Sequence, residues 1–564
     1  AKAGEDRLPL GEAVVDWSFG DVDAAFKASK VVVEENIVHA SNSHHAMEPR
    51  SAAAYWEGGK CHVWGSTQST SFAQPGLAKL IGISPMDLVF VAEYCGGGFG
   101  GKATSYPLMA LPALMSKKMG GRPCLIRVSR AEEYYNGYAR GGFQAWAKLG
   151  FDAKGKILAA DVYVVQDLGN TSGFWDFNNV GSSVAIVFQP KNMRFRAVPV
   201  LTNTVPKGAQ RGPGENQASN MLEPLLDKAA RELGIDRVEL RKINAPGNGG
   251  KDAKYGPKQG PVTSAYLKEA LEKGKKEFEW DKRSKYSGKR VGNKVKAIGV
   301  GQAYHTAGYN GFDGLCRITP DGILHIHTGV GNLGTFSYAS TSRVCAEVLG
   351  YDWERCVIER GGTRKHIPFN IGQFGSNTTF TMSRTNYAAG MAAKDLLLEI
   401  AAKVLGGKAE NYKLENEFVV NTSNESNKIS FADCAKKAIE MGGKYSGMET
   451  PEDINPFTKA AVGGIKGTGL VGVAKDKIPK TATVPALSAS FIEIELDLET
   501  GKYEILDCLG VADCGTVMHP TGLAAQIRSG AVMGFGLAAT ERHVYDPAYG
   551  RPNMKGFYQA KPPT

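Results

Sequence analysis

Grouped cysteines are missing from this chain. Its nine cysteines are scattered over 564 residues, and no two of them form a C-x-x-C pair. A secreted disulfide framework, a structural zinc site and an iron–sulfur centre all need cysteines in sets or at short spacing. The pattern therefore disfavours all three. It predicts free, mostly buried thiols in a reducing compartment, which favours the cytoplasm and leaves the periplasm open.

Long apolar runs are also missing. No apolar stretch approaches the roughly 20 residues that a membrane-spanning helix needs. Hydrophobic residues make up 42% of the chain and charged residues 22%, which is typical of ordered globular proteins. We therefore expect no membrane span and no general disorder. At about 150 residues per domain, the length allows three or four domains or subdomains.

The positive charge is moderate and local. The net charge is +10, and much of it lies in the stretch 268–296. No nucleic-acid-binding motif accompanies this stretch, so we interpret it as a solvated linker face and expect no nucleic-acid partner. It is also the best candidate for a domain boundary. The predicted domains are 1–290 and 295–564.

Strand-like alternation and glycine-rich turns dominate, with a few strong helices between them. Helical spacing predicts helices over 216–233 and 377–405, the second with Thr378 and Thr379 as capping candidates. Asp/Gly turns at 152–156, 321–322 and 497–502 predict hairpins. The first and last share the same offsets to later Asp and Gly residues, which suggests a duplication or common hairpin chemistry. The fold class predicted is α+β with mixed sheets.

The most prominent motif runs from Cys95 to Lys102 and reads Cys-Gly-Gly-Gly-Phe-Gly-Gly-Lys. It follows an apolar run at 88–92 and precedes a helical pattern, an arrangement that can present backbone N–H groups to an anion. It has neither the spacing of a P-loop nor a clean dinucleotide fingerprint. Taken alone it favours a glycine-packed turn, with a nicotinamide site at 96–101 as an alternative.

Further small, polar and glycine-rich loops recur along the chain. Most of them lie directly before a predicted helix, and together they would suit a large polyanionic cofactor held by backbone amides. They are Trp-Gly-Ser-Thr-Gln-Ser-Thr at 64–70, Gln-Arg-Gly-Pro-Gly-Glu-Asn-Gln at 210–217, Gly-Val-Gly-Asn-Leu-Gly-Thr at 329–335, Gly-Ser-Asn-Thr-Thr at 375–379, and the stretch from Asp-Cys-Gly at 513 to Gly-Phe-Gly at 534–536.

In this order, the motifs resemble the molybdopterin-binding large subunit of the xanthine dehydrogenase/aldehyde oxidase family. The resemblance runs from about residue 45 to residue 562. It implies two intertwined molybdenum-cofactor-binding halves with glycine-rich cofactor loops. It also implies that the dithiolene of the pterin holds the molybdenum, so that no protein side chain is expected as a metal ligand.

The resemblance assigns roles to individual residues. Gln68 would hydrogen-bond a ligand of the molybdenum, and Arg211 and Gly212 would lie beside the metal and the substrate. Cofactor contacts are also implied at Gly97, Gly98, Phe99, Gly100, Gly331, Asn332, Gly375, Ser376, Asn377, Thr378, Thr379 and Gln526. The cofactor expected is molybdopterin with molybdenum, in the cytosine dinucleotide form.

Departures from the family pattern concern the substrate and the base. Ala103 stands where many members have a substrate-contacting glutamate, and Pro213 follows Arg-Gly where an aromatic is common. A purine is therefore disfavoured as the substrate, and carbon monoxide is disfavoured as well, because the cysteine loop of carbon monoxide dehydrogenases is absent from this sequence. The family's base glutamate belongs beyond the point where this sequence stops, so we expect it on a further C-terminal segment or another chain. Glu215, the one acid inside a cofactor-loop motif, is interpreted first as an ordinary loop residue and is the candidate substitute base if no such segment or chain supplies one.

The resemblance implies a hydroxylase or dehydrogenase that oxidises an aldehyde, an N-heteroaromatic or a similar small organic molecule, with water as the oxygen source. Electrons would leave through a [2Fe–2S] subunit and an FAD subunit, in a dimer of such heteromers. Two alternatives stay open. One is a degenerate cofactor-binding relative without activity, and the other is a nicotinamide-dependent oxidoreductase.

Overall fold

The computed structural model describes residues 14–171 and 173–563, so the chain ends Ala1 and Thr564 lie outside the described residues. In chain order the strands are β1 (Val15–Phe19), β2 (Val31–His39), β3 (Ser51–Glu57), β4 (Lys60–Gly65), β5 (Leu88–Val91), β6 (Cys124–Arg127), β7 (Phe143–Phe151), β8 (Ile157–Gly169), β9 (Asn192–Leu201), β10 (Arg290–Val291), β11 (Lys294–Ala307), β12 (Asp313–Ile318), β13 (Leu324–Thr328), β14 (Cys356–Arg360), β15 (Tyr412–Glu415), β16 (Phe418–Asn421), β17 (Lys428–Ser430), β18 (Leu470–Lys475), β19 (Val484–Asp497) and β20 (Tyr503–Asp513). The α-helices are α1 (Val22–Ala28), α2 (Thr70–Ile81), α3 (Pro107–Lys118), α4 (Arg130–Asn136), α5 (Phe177–Phe188), α6 (Glu215–Leu233), α7 (Arg237–Asn244), α8 (Leu267–Glu277), α9 (Trp280–Arg283), α10 (Ser337–Leu349), α11 (Thr378–Leu405), α12 (Phe431–Met441), α13 (Pro456–Gly463), α14 (Pro520–Ala539) and α15 (Phe557–Ala560).

The chain divides into two compact units, each made of separated segments. Unit 1 comprises the described residues of 1–45, 130–307 and 481–564, and unit 2 comprises 46–129 and 308–480. The predicted α+β class with mixed sheets and interleaved chain segments is confirmed. The predicted domains 1–290 and 295–564 divide the chain along its sequence, whereas these units are built from separated segments, so the predicted boundary at 290–295 stays a prediction.

The described residues of unit 1 form two sheets and the helices that cover them. The first sheet has the order β1-β9-β8-β7-β2, in which only β8 and β9 are parallel, and the second is the antiparallel β10-β11-β19-β20. Helix α6 packs against β2, β7 and β11. Its apolar side, with Met221, Leu222 and Leu225, is fully buried. This burial fixes the start of α6 and with it the loop 210–214.

Unit 2 contains three sheets. Their orders are β5-β4-β3-β6, β14-β13-β12-β18 and β15-β16-β17. Helices α2 and α3 pack on the first sheet, and α11 packs on β12 and β18 beside α10. The glycine loop follows β5, and the loop at 329–335 joins β13 to α10. Both loops therefore begin at the carboxyl end of a strand.

The predicted helices and hairpins are confirmed. Helix α6 covers Glu215–Leu233 and α11 covers Thr378–Leu405, each within one residue of its predicted start. Each predicted turn forms a hairpin in which an aspartate Oδ1 accepts from backbone N–H groups further along the turn, at Asp152, Asp321 and Asp497. Whether the shared spacing reflects a duplication stays a prediction.

The sequence analysis predicted a linker over the basic stretch 268–296, and this prediction is wrong. The stretch forms α8, α9 and the start of β11, because apolar residues recur at helical spacing among the lysines. Leu267, Leu271 and Trp280 are buried in the core of unit 1. A Cβ at Gly274 would overlap the ring of Phe491, so α8 lies close on β19. The lysines are mostly exposed, as the expected solvated face requires.

The cysteines behave as expected. All nine are unpaired, and Cys61, Cys95, Cys316, Cys345 and Cys434 are buried. Within the described residues, no three His, Cys, Asp or Glu side chains are grouped so as to hold a metal ion. None of the described helices combines the length and apolarity needed to cross a membrane.

Candidate functional site

The glycine loop of unit 2 needs its glycines for backbone conformation and for space. Gly97 and Gly100 have φ values of +98° and +109°, and Phe99 between them is also left-handed at +53°. At Gly98 the constraint is steric, because a Cβ there would lie 2.7 Å from both Cγ and Cδ of Gln68. Helix α3 begins only at Pro107, so the loop backbone faces its surroundings without a helix N-terminus directly behind it.

Gln68 is fixed against this loop. Its side chain is buried, and Oε1 accepts from the backbone N–H groups of Gly100 and Lys102, both at 3.0 Å. Its Nε2 donates to the carbonyl of Gln373 at 2.9 Å. A glutamine amide carries two N–H donors, so one hydrogen on Nε2 has no protein acceptor among the described residues. The orientation of the amide is therefore set by the loop, and one donor is left for a ligand.

Gln373, which the sequence analysis did not select, joins three loops of unit 2. Its backbone N–H donates to the Gln68 carbonyl at 2.8 Å, and its Nε2 donates to the Gly331 carbonyl at 2.7 Å. Its Oε1 accepts from the hydroxyls of Thr335 and Ser337, at 2.9 and 3.3 Å. The signal in the sequence is a single polar residue in Gly-Gln-Phe-Gly, directly before the predicted loop at 375–379.

The loop that carries Gly331 and Asn332 lies directly against the glycine loop. The Asn332 backbone donates to the Glu93 carbonyl at 2.8 Å and accepts from the Cys95 N–H at 2.9 Å. A Cβ at Gly331 would overlap the carbonyl of Ala92. The Asn332 Oδ1 accepts from Gly334 N–H at 2.8 Å and so is used to shape its own turn. The structure therefore places Gly331 and Asn332 beside residues 92–95, which directly precede the glycines at 97–100.

The loop at 375–379 corrects one prediction about helix capping. Thr378 and Thr379 are the first residues of α11, and the residue before them, Asn377, makes no side-chain capping bond. Instead, Asn377 Oδ1 accepts from Tyr309 N–H at 2.9 Å and Nδ2 donates to the Gly375 carbonyl at 2.6 Å. Ser376 is held at φ +53° by these contacts. The amide of Asn377 shapes the turn, which leaves the N-terminus of α11 without a side-chain cap.

In unit 1 the structure brings together two predicted residues that are far apart in sequence. The Arg211 guanidinium donates to the Gln526 carbonyl at 2.8 Å and to its side-chain Oε1 at 3.0 Å. It also donates to the Ser529 hydroxyl at 3.1 Å. Burial lowers the pKa of Arg211, although the group stays cationic in any physiological range. Helix α14 thus positions the arginine of the Arg-Gly loop.

Arg140, which sequence reasoning missed, holds the same loop from behind. Its guanidinium is fully buried and donates to the carbonyls of Arg211 at 2.7 Å and Gly212 at 3.0 Å. It also donates to Oε1 of Gln210 at 2.7 Å and of Gln217 at 3.2 Å. An isolated arginine after a helix gives no signal in the sequence, because its partners lie about 70 residues away.

Glu215, the predicted substitute base, is the first residue of α6 and is 3% exposed. Burial raises the pKa of its carboxyl group to about 8. His305 Nε2 lies 3.7 Å from Glu215 Oε1. The neighbouring acid Asp176 is buried as well, and burial raises its pKa to about 7. A buried acidic pocket therefore lies behind the Arg211 loop.

Comparison with known proteins identifies the family. Two profiles of the molybdopterin cofactor-binding domain match the chain, over residues 8–245 and 273–564. The xanthine dehydrogenase molybdenum-binding subunit of Escherichia coli O157:H7 is 25% identical over 562 residues, covering 97% of this chain and 70% of that protein. The aldehyde oxidoreductase molybdenum-binding subunit of the same organism is 24% identical over 550 residues, covering 96% and 68%.

The fold is shared with a solved enzyme. The crystal structure of quinoline 2-oxidoreductase from Pseudomonas putida 86 superimposes with a TM-score of 0.83 at 22% identity, covering 99% of this chain and 71% of that one. The resemblance drawn from the motifs is thereby confirmed. The chain belongs to the molybdopterin cofactor-binding family, as a molybdenum-dependent oxidoreductase of the xanthine dehydrogenase and aldehyde oxidoreductase type.

Proposed function

We propose that this chain is the catalytic molybdenum-cofactor subunit of a hydroxylase or dehydrogenase. Its substrate would be an aldehyde, an N-heteroaromatic or a similar small organic molecule, with water as the oxygen source. Bound molybdopterin, in the cytosine dinucleotide form, would supply the redox chemistry. Partner chains with [2Fe–2S] and FAD centres would take the electrons. The location we propose is the cytoplasm.

The observation that carries the proposal is the joining of three loops through Gln68 and Gln373 in unit 2. Every hydrogen bond in this cluster is made by a glutamine amide, a hydroxyl or a backbone group. Such a set is neutral, and its remaining donors suit a ligand that accepts hydrogen bonds along its length. The only side-chain charge in the glycine loop is Lys102, whose ammonium donates to the Glu48 carbonyl at 2.7 Å.

The residues fit the cofactor in two respects. The missing side chain at Gly98 lets Gln68 lie directly on the loop backbone, because a Cβ there would overlap the glutamine side chain. The free Nε2 hydrogen of Gln68 and the uncapped N-terminus of α11 supply donors to an anionic, oxygen-rich group. We propose that Gln68, residues 97–100, Gly331 and Asn332 hold the pterin side, and that residues 375–379 hold the nucleotide side.

In unit 1 we propose roles for Arg211, Gly212 and Gln526. The two bonds to Gln526 fix the Arg211 guanidinium, which can then stabilise negative charge that develops on a reacting substrate. Gly212 has φ +73°, a left-handed conformation that glycine adopts without strain.

The nicotinamide alternative is disfavoured, because the loop at 96–101 is not followed directly by a helix whose N-terminus could hold a pyrophosphate.

The alternative of a degenerate relative without activity is tested by measuring turnover. The assembled complex, purified with its partner chains, should oxidise at least one aldehyde or N-heteroaromatic in isotopically labelled water and carry the label into the product. A fully loaded complex that is inert over such a panel would favour the degenerate relative.

A further inference from the structure

The carboxyl group of Glu215 has no hydrogen-bond partner for one of its oxygens. Its Oε2 is buried and unpartnered within the described residues, and the residue is 3% exposed. An ionised carboxylate in such a place would lack the donors that normally stabilise it. Glu215 lies at the start of α6, three residues after Gly212, so the unpartnered acid adjoins the Arg211 loop.

The buried cation nearby does not pair with it. Arg140 uses all three of its guanidinium nitrogens on four neutral acceptors: Gln210 Oε1, Gln217 Oε1 and the carbonyls of Arg211 and Gly212. Its charge does lower the pKa of Glu215, yet burial outweighs this effect and sets the pKa at about 8. Glu215 is therefore mostly protonated at neutral pH.

His305 presents a proton acceptor to this acid. Its Nδ1 lies 2.7 Å from the carbonyl of Thr306, and because a carbonyl only accepts, Nδ1 carries the hydrogen. In the neutral ring, Nε2 is then the basic atom, and it lies 3.7 Å from Glu215 Oε1. Burial lowers the pKa of His305, and the Arg211 charge lowers it further, so the ring is neutral at rest.

The His305 side chain is more exposed to solvent than the Glu215 side chain. The Glu215 side chain is 4% exposed, whereas that of His305 is 22% exposed. Asp176, Arg140 and Tyr304 are the other charged or titratable groups that act on Glu215 from neighbouring elements. All three are buried, so His305 is the member of the cluster that can exchange protons with water.

We propose that Glu215 and His305 form a proton-transfer pair that carries protons from the Arg211 loop to solvent. The carboxylic acid of Glu215 first gives its proton to His305: its O–H bond breaks as an N–H bond forms at Nε2, and the imidazolium returns to neutrality by giving the Nε2 proton to water. The carboxylate left on Glu215 then takes a proton from a group reacting beside Arg211, which restores the acid. This inference rests on the proposed function, since it requires a substrate at the Arg211 loop.

The resting state can be tested without turnover. Infrared difference spectroscopy of the purified complex should show the C=O band of a protonated carboxylic acid that disappears as the pH rises through about 8. Glu215→Gln should remove that band, while Asp176→Asn should remove only a separate band that titrates near 7. A wild-type protein without the higher-titrating band, or a band that survives Glu215→Gln, would overturn the proposal.

The transfer itself is tested at His305. His305→Ala should slow turnover roughly 10²-fold or more, in the range of a lost acid–base group, and added imidazole should restore part of the rate. The Glu215 infrared band should persist in this variant, which shows that the pocket has stayed folded. Unchanged turnover in His305→Ala would refute the pair. A complex that lacks molybdenum would instead refute the proposed function and leave the infrared result valid.

Discussion

Replacing Gly98 by alanine tests how the glycine loop and Gln68 depend on each other. The backbone of Gly98 is not in the left-handed region, so alanine brings no backbone strain and acts through space alone. Its Cβ would lie 2.7 Å from Cγ and Cδ of Gln68, a separation that real Cβ atoms do not show. The amide must therefore move out of its position.

The expected cost follows from the bonds that the amide makes. Gln68 accepts from Gly100 and Lys102 and donates to the Gln373 carbonyl. At about 1 kcal/mol net for each buried hydrogen bond, losing them costs about 2–4 kcal/mol. Because the same movement takes away the donor that we assign to the cofactor, Gly98→Ala should also lower the molybdenum and pterin content.

The matched control is Gly463→Ala, in the same unit. Gly463 ends α13, has open space around its Cα and is not in the left-handed region. Alanine there should leave the unfolding free energy within about 1 kcal/mol and the cofactor content unchanged. The assays are chemical unfolding and metal and pterin analysis of both variants. Wild-type stability and full cofactor content in Gly98→Ala would refute the argument.

Three further predictions concern single side chains and partners. Gln68→Ala should keep the fold and lower turnover roughly 10–10³-fold, the range for a lost electrostatic donor; unchanged turnover at full molybdenum occupancy would make Gln68 merely structural. The hydrogen bond with His325 lowers the pKa of Glu359 from 4.5 to about 2, so the stability that this carboxylate contributes is present above about pH 4.5 and is lost as the pH falls toward 2. In Glu359→Gln the free energy of unfolding should therefore depend less on pH in that window. An unchanged pH dependence would contradict this. Pull-down of the tagged chain should recover a cysteine-rich [2Fe–2S] protein, whereas an isolated chain that reduces its natural acceptor at full rate would exclude that partner.

Local patterns in the sequence predicted the elements well. The apolar spacing of 216–233 and 377–405 and the Asp/Gly turns depend on neighbours within a few residues, and each appears in the structure where it was expected. The basic stretch was misjudged, because its charge hid the apolar spacing around Leu267 and Leu271. Charge describes only the solvent side of α8, whereas the other side decides that the segment folds.

Only part of the candidate site could be predicted from the sequence. Motif order identified the loops and the Arg211 and Gln526 positions, which the structure joins across more than 300 residues. Gln373, Arg140 and His305 were missed, because each acts through contacts that depend on the tertiary fold. A single glutamine, arginine or histidine has no spacing that marks it, and its importance is visible only when its partners are known.

The most direct test of the account is the cofactor content of the chain purified from its native source. Metal analysis and nucleotide release should give molybdenum and a pterin dinucleotide, in the cytosine form, in equimolar amounts with the chain. Substitution of Gln68 or Gly98 should reduce both together. Stoichiometric nicotinamide or flavin on this chain, with no molybdenum, would contradict the central claim.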